Sequence, residues 1–226
     1  VEVCREWRKN LVEKAAEQDE ALMEKYFAEG DLPLEDILAG LRKGTVARAI
    51  VPVYCGTAFK NKGVQPLLNG VCAFLPSPLD IGAVHAADDP ENVRKPDDSA
   101  PLAALAFKVA ADKHMGKIIF VRIYSGTLRV GSTLRNSSQG FDVRVGRLLR
   151  MHANRQESIE EAYAGDIVAV VGMGKTRTGD SLCDTANPIV LENIEFPAPV
   201  ISIAIRPFSR NDNEKLGSAL HTLADE

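Results

Sequence analysis

Five short β-rich segments crowd into residues 101 to about 193: LAALAFKVAA, KIIFVRIYSG, DVRVGRLLRM, DIVAVVGM and SLCD. Turn clusters such as SSQG and TRTGD cut them apart. Strands of this length and spacing leave no room for helices and argue for a closed antiparallel barrel. The flanking sequence has a different texture. Residues 3–29 read as one amphipathic helix, with Trp7, Leu11, Ala15, Leu22 and Tyr26 near helical spacing. EGDLPLEDILAGLRKG gives a turn and a second helix, with Asp31 as its N-cap. AIVPVYCGTAF is apolar on both faces, the mark of a strand buried in a parallel sheet. GVQPLLNGVCAFLPSP follows as a helix stopped by Pro76 and Pro78. Residues 77–100, rich in Pro, Asp and Ala, read as an extended linker. From 196 the chain reads strand, turn, helix, a unit that cannot bury both its faces alone. Both ends therefore read as cut from a longer protein.

Two stretches imitate nucleotide chemistry. AVVGMGKT, residues 169–176, fits a relaxed phosphate-loop pattern. Such a loop needs a strand before it and a helix N-terminus after it, whose N–H groups meet the phosphates. DIVAVV supplies the strand, but Lys175 runs into TRTGDSLCDTANP, where Gly179 and Pro188 forbid a helix. In KNKG, residues 60–63, Asn61-Lys62 is followed by Gly63 and Val64, so no carboxylate stands where guanine recognition needs one.

Charge and cysteine usage narrow the partners. The net charge is −4, yet Lys113, Lys117, Arg122, Arg129, Arg135, Arg144, Arg147, Arg150 and Arg155 face a single acid, Asp142, between residues 113 and 155. Such a local excess attracts a polyanion even on an acidic protein. Cys4, Cys55, Cys72 and Cys183 share no short spacing, which reads as a reduced, metal-free, cytoplasmic chain. No apolar run approaches the roughly 18–20 residues that span a bilayer, so no membrane partner is expected.

CGTAFKNKGVQPLLNGVCAFLPSP resembles bacterial elongation factor G, of the translational GTPase family, and so do GKIIFVRIYSGTLRVGS, GRLLRMHANRQESIEEAYAGDI, TGDSLCD and FPAPVISIAI. The resemblance implies an α/β remnant, an antiparallel β-barrel of the translation-protein type, and a truncated α+β unit. Residues 1–48 would be a helical insert of the GTPase domain and 49–78 that domain's last strand and helix. A linker would follow over 79–100, then barrel domain II over 101–195 and the start of domain III over 196–226. The phosphate loop, the magnesium-binding switches and the catalytic groups would precede Val1. GTP or GDP and magnesium would thus belong to the intact parent, a GTP hydrolase driving ribosomal translocation of tRNA and mRNA. This fragment would itself hold no cofactor or metal and carry no catalytic residue.

Residue by residue, Thr57-Ala58-Phe59 aligns with the family's Ser-Ala-Phe, where the backbone N–H of the Ala position donates to guanine O6. The barrel would dock on small-subunit ribosomal RNA, with Arg129, Arg135, Arg150, Arg155 and Lys175 as candidate contacts and no role for DNA. The helical insert would meet the ribosomal stalk protein through Arg5, Arg8 or Arg42. Arg206 and Phe208 depart from the family's acidic and basic pair, which leaves room for a recycling or tetracycline-protection paralogue. A free-standing RNA-binding barrel module and an NTPase built on Gly174-Lys175-Thr176 are the readings of other classes.

Overall fold

The structure, a computed structural model, describes residues 1–112, 115–153, 155–192 and 200–225. Lys113, His114 and the expected boundary at 196 lie outside the described residues. The chain divides into two compact units, Val1–Ile81 and Gly82–Glu226.

The first unit is helical: α1 (Glu2–Ala16), α2 (Glu20–Glu29), α3 (Leu34–Val46), α4 (Val64–Phe74) and α5 (Pro78–Ile81). The expected single helix over 3–29 is two. Asp19 breaks it, its carboxylate accepting from the N–H groups of Ala21 at 2.9 Å and Leu22 at 3.4 Å, an N-cap that starts α2. Asp31 does not cap α3. Its carboxylate accepts from Leu32 N–H at 2.8 Å and pairs with Arg8 at 2.7 Å, while Pro33, lacking an N–H, takes the cap position. Val12, Ala15, Ala16, Leu32 and Ile37 form the core. The buried stripe of α1 begins only at Val12, so Trp7, expected inside, is 70% exposed. At Gly40 the helices are so close that a Cβ would lie 2.3 Å from the Ala15 carbonyl oxygen.

Residues 50–56, within the AIVPVYCGTAF stretch read as a buried strand, form no strand, and Val51 and Val53 are exposed. A strand exists only with a neighbour to pair with, and among the described residues none is beside it.

Three carboxyls of this unit are held below the usual carboxylate range. The chief causes are the Lys43 ammonium on Asp19, the Arg8 guanidinium on Asp31 and the Ser77 backbone N–H on Asp80. A carboxyl with a depressed folded pKa adds stability above its unfolded pKa and loses it as pH falls through the folded value. The helical signal should therefore melt at progressively lower temperature as pH drops from about 5 towards 2. Because these groups are solvent-exposed, the effect is modest. Asp19→Asn, Asp31→Asn and Asp80→Asn combined should flatten this dependence in circular dichroism melts, and an unchanged slope would refute it.

The second unit is built on strands. A hairpin, β1 (Val84–His85) with β2 (Val93–Arg94), precedes β3 (Ala103–Asp112), β4 (Gly116–Ser125), β5 (Leu128–Arg129), β6 (Thr133–Asn136) and β7 (Phe141–Arg144). Then come β8 (Arg147–His152), β9 (Arg155–Ile159), β10 (Glu161–Ala162), β11 (Ile167–Val171) and β12 (Ser181–Cys183). Eight strands make one sheet in the order β7-β6-β12-β3-β4-β11-β8-β9, every pairing antiparallel, with β5 and β10 as a separate ribbon. The sheet curls round a single core to which Val109, Ile119, Val121, Ile123, Leu134, Val143, Leu148, Val168, Val170 and Leu182 contribute. Leu128 and Ala162 of the ribbon enter the same core. Period-2 alternation puts the even-numbered apolar residues of β11 inside.

The stretch read as a linker is tied to this barrel. Ala86 packs with Ala103, Cys183 and Ile189, and Ala87 N–H donates to the Val190 carbonyl at 2.8 Å. Its few apolar residues suffice because the hairpin lines them up. Residues 200–206 form no strand, and Val200, Ile201, Ile203 and Ile205 are exposed. The helix α6 (Asn213–Asp225) follows.

Candidate nucleic-acid interface

CGTAFKNKG closes on itself. Thr57 and Lys62 bond reciprocally, Thr57 N–H to Lys62 O at 2.9 Å and Lys62 N–H to Thr57 O at 3.1 Å. Between them Ala58–Lys60 make one 3-10 turn, and Asn61 (φ 49) and Gly63 (φ 78) complete the reversal. Gly56 has no alternative, since a Cβ there would lie 2.7 Å from the Lys62 carbonyl oxygen. Thr57, Ala58 and Phe59 are all exposed at the tip. Ala58 starts the 3-10 turn, so its N–H points out of the turn's own bonding pattern, as a donor to an external acceptor must.

AVVGMGKT ends a strand, as its context requires. Val171 closes β11, Gly172 turns at φ 106, and Thr176 N–H donates to Met173 O at 3.0 Å in place of a helix. Met173 is buried and Lys175 exposed. Gly172, two residues before the glycine of the phosphate-loop pattern, has a packing reason, whereas a Cβ on Gly174 would meet open space. A Cβ on the facing Gly146 would come within 2.5 Å of Val171 O and 3.3 Å of Gly172 Cα. Two loops meet there backbone to backbone, and a third is tied in by Gly131 N–H to Val145 O at 2.9 Å. Lys117, at the start of β4, donates to Gly174 O at 3.1 Å.

This contact decides which cations stand together. The loops joined at Gly146 and Gly172 carry Arg144, Arg147, Lys175 and Arg177, all exposed and none in an ion pair among the described residues. Of the residues singled out from sequence, only Lys175 belongs to this cluster. Arg129 is engaged by Glu161 at 3.1 Å and Arg135 by Asp142 at 3.0 Å. Glu161 is held below the usual carboxylate range by the Tyr163 hydroxyl first and by Arg129 second, so the carboxylate stays charged against Arg129. Arg150 and Arg155 flank the β8–β9 hairpin, towards the other end of β8, which lies roughly 16 Å along the strand from Arg147.

Sequence reasoning missed the group that holds these loops. Asp180, only 5% exposed, accepts from Asn136 Nδ2 at 2.7 Å, Gln139 Nε2 at 2.8 Å and Arg177 N–H at 2.7 Å. It ties the loop after β6 to the loop after β11. The signal was an acid between Gly179 and the apolar run of β12, where a solvated charge has no place.

One comparison with known proteins falls on the same domain, and another spans the whole chain. Residues 101–185 match the family model described as elongation factor G domain 2. Over that stretch the barrel is similar to domain 2 of the elongation factor G family. Over its whole length the chain also superposes on a crystal structure of a Thermus thermophilus protein, with a TM-score of 0.79 and 28% sequence identity. The superposition covers 100% of this chain and 32% of that one, so the chain spans about a third of the similar protein. The family match supports a piece of an elongation factor containing domain 2, and the superposition supports the fold. Among the described residues no helix is long and apolar enough to cross a membrane.

Proposed function

We propose that the chain is part of a GTP-dependent translation elongation factor that promotes ribosomal translocation in the cytoplasm, and that its domain 2 docks on small-subunit ribosomal RNA. The observation that carries the RNA contact is that the loops joined at the Gly146–Gly172 contact carry Arg144, Arg147, Lys175 and Arg177, all exposed and none in an ion pair among the described residues. Exposed cations on loops suit phosphates rather than base edges. The tip at Thr57, Ala58 and Phe59 serves the nucleotide: Ala58 N–H donates to guanine O6 when GTP and magnesium are held by the parent's GTPase domain. In support, α4 leaves Leu67, Leu68 and Val71 substantially exposed beside the unpaired 50–56 segment, as a piece of a larger α/β layer would. Arg42 is a poor candidate for a stalk contact, since it bonds Ala73 O at 2.8 Å and Asp80 at 2.7 Å.

Binding to purified small ribosomal subunits across a salt series tests the RNA contact. With three or four phosphates neutralised, log K should fall linearly with log salt with a slope of about −2 to −3.5. A flat affinity would remove the reading.

A further inference from the structure

Strands β3 and β4 slip register at two points, leaving Tyr124 extra on β4 and Phe107 extra on β3. Ala106 pairs with Val121 and Lys108 with Phe120, so Phe107 is an extra residue between them, a β-bulge. A bulge sets two successive side chains on one face, and the contacts show which. The Phe107 and Phe120 rings lie 6.4 Å apart at 46°, and Lys108 Nζ stands 5.9 Å from the centre of the Phe120 ring. Ile119, Val121 and Ile123 point into the barrel, so Phe120, Arg122 and Tyr124 line its outer face, together with Phe107 and Lys108. There the Arg122 guanidinium lies 5.0 Å from the Tyr124 ring centre. Ile118, Leu149 and Ala169 are buried under Met115, Phe120, Met151 and Val171 and form a packed floor. Phe107 remains 36% exposed.

The ionisable groups on this face are Lys108 and Arg122 on the two paired strands, Arg147 at the start of β8, and Asp112 at the end of β3. Asp112 already accepts from Met115 N–H at 2.9 Å. The face is therefore aromatic and cationic at once. A protein partner would need to desolvate Lys108, a residue type depleted at protein interfaces. A nucleic-acid strand meets both features, its bases stacking on rings and its phosphates on the cations.

We propose that the outer face of β3 and β4, with Phe107 raised by the bulge beside Phe120, is a stacking platform for unpaired bases of single-stranded RNA. Lys108 and Arg122 hold the phosphates on either side of the stacked bases. The platform deepens the ribosomal-RNA reading and rests on it: the loop cluster holds phosphates, and this face adds contact to bases. The two surfaces are continuous. Val171 and Arg147, where the loop cluster begins, pair in register with each other, and Val171 pairs with Ile118. Ile118 is one two-residue repeat, about 6.6 Å, from Phe120.

Fluorescence anisotropy on the full 226-residue chain separates the two contacts. The probes are a short unpaired RNA oligonucleotide and an abasic counterpart with the same number of phosphates. The oligonucleotide should bind about tenfold more tightly than the abasic strand. Phe107→Ala should abolish that difference while leaving the abasic affinity and its salt slope unchanged, and Phe107→Tyr should retain it. Equal affinity for the two strands, both salt-sensitive, would overturn the platform and leave the phosphate contact standing. Binding of neither strand would overturn both. Loss of self-association in Phe107→Ala, with no preference for bases, would assign the face to a protein contact and also overturn the platform.

Discussion

Asp180→Ala should cost the barrel about 2–3 kcal/mol, the upper part of the range for leaving a buried donor without its acceptor. The carboxylate is 5% exposed and receives Asn136, Gln139 and the Arg177 N–H, all within 2.8 Å. Asn136 is fully buried, so its Nδ2 would be left facing apolar core with no acceptor. The backbone would feel the loss as well. Ala106 N–H donates to Asp180 O at 2.9 Å, and Gly179 N–H to Ala106 O at 2.7 Å, the bonds that bring the loop after β11 onto β3. Set against a domain stability of about 5–15 kcal/mol, the change should move the urea midpoint of the β signal well below that of the parent chain. Asp180→Asn keeps the volume but turns one acceptor into a donor that faces donors, so it should fall between the two. A midpoint within error of the parent would mean that the network does not hold the loops together.

What could be read from the sequence depended on how local its cause was. The barrel was legible because alternation in KIIFVRIYSG and DIVAVVGM, with glycine and asparagine turns between, is decided within each segment. The break at Asp19 was also local, an Asp followed by Glu20, but it hid inside a longer helical period. AIVPVYCGTAF reads as a strand from composition, yet strand formation is a property of pairs, and no neighbour is present among the described residues. The site shows the same division. That GKT was not a phosphate loop followed from its own flanks. Which arginines are available did not, because Glu161 pairs with Arg129 across 32 positions and Asp142 with Arg135 across a hairpin. The cluster of Arg144, Arg147, Lys175 and Arg177 depends on Gly146 meeting Gly172, a contact between residues far apart in the chain. The bulge at Phe107 is likewise invisible until the register of β4 is known.

Reversing two charges at that contact, Arg147→Glu with Lys175→Glu, should weaken binding to the small ribosomal subunit by roughly 100-fold at low salt and reduce the salt slope by about 2. Both side chains are exposed and make no ion pair among the described residues, so the substitutions should leave the fold intact. The comparison that gives the result meaning is Arg155→Glu. That residue is also exposed but pairs with His152 at the far end of β8, where its loss should leave affinity nearly unchanged. Arg129→Glu belongs between the two. Its guanidinium already spends much of its field on Glu161, so its loss should lower affinity only a few-fold. Equal losses from Arg155→Glu and from the double reversal would mean that net charge, and not the loop contact, governs binding. A double reversal that leaves the slope untouched would place the phosphate contacts elsewhere on the chain.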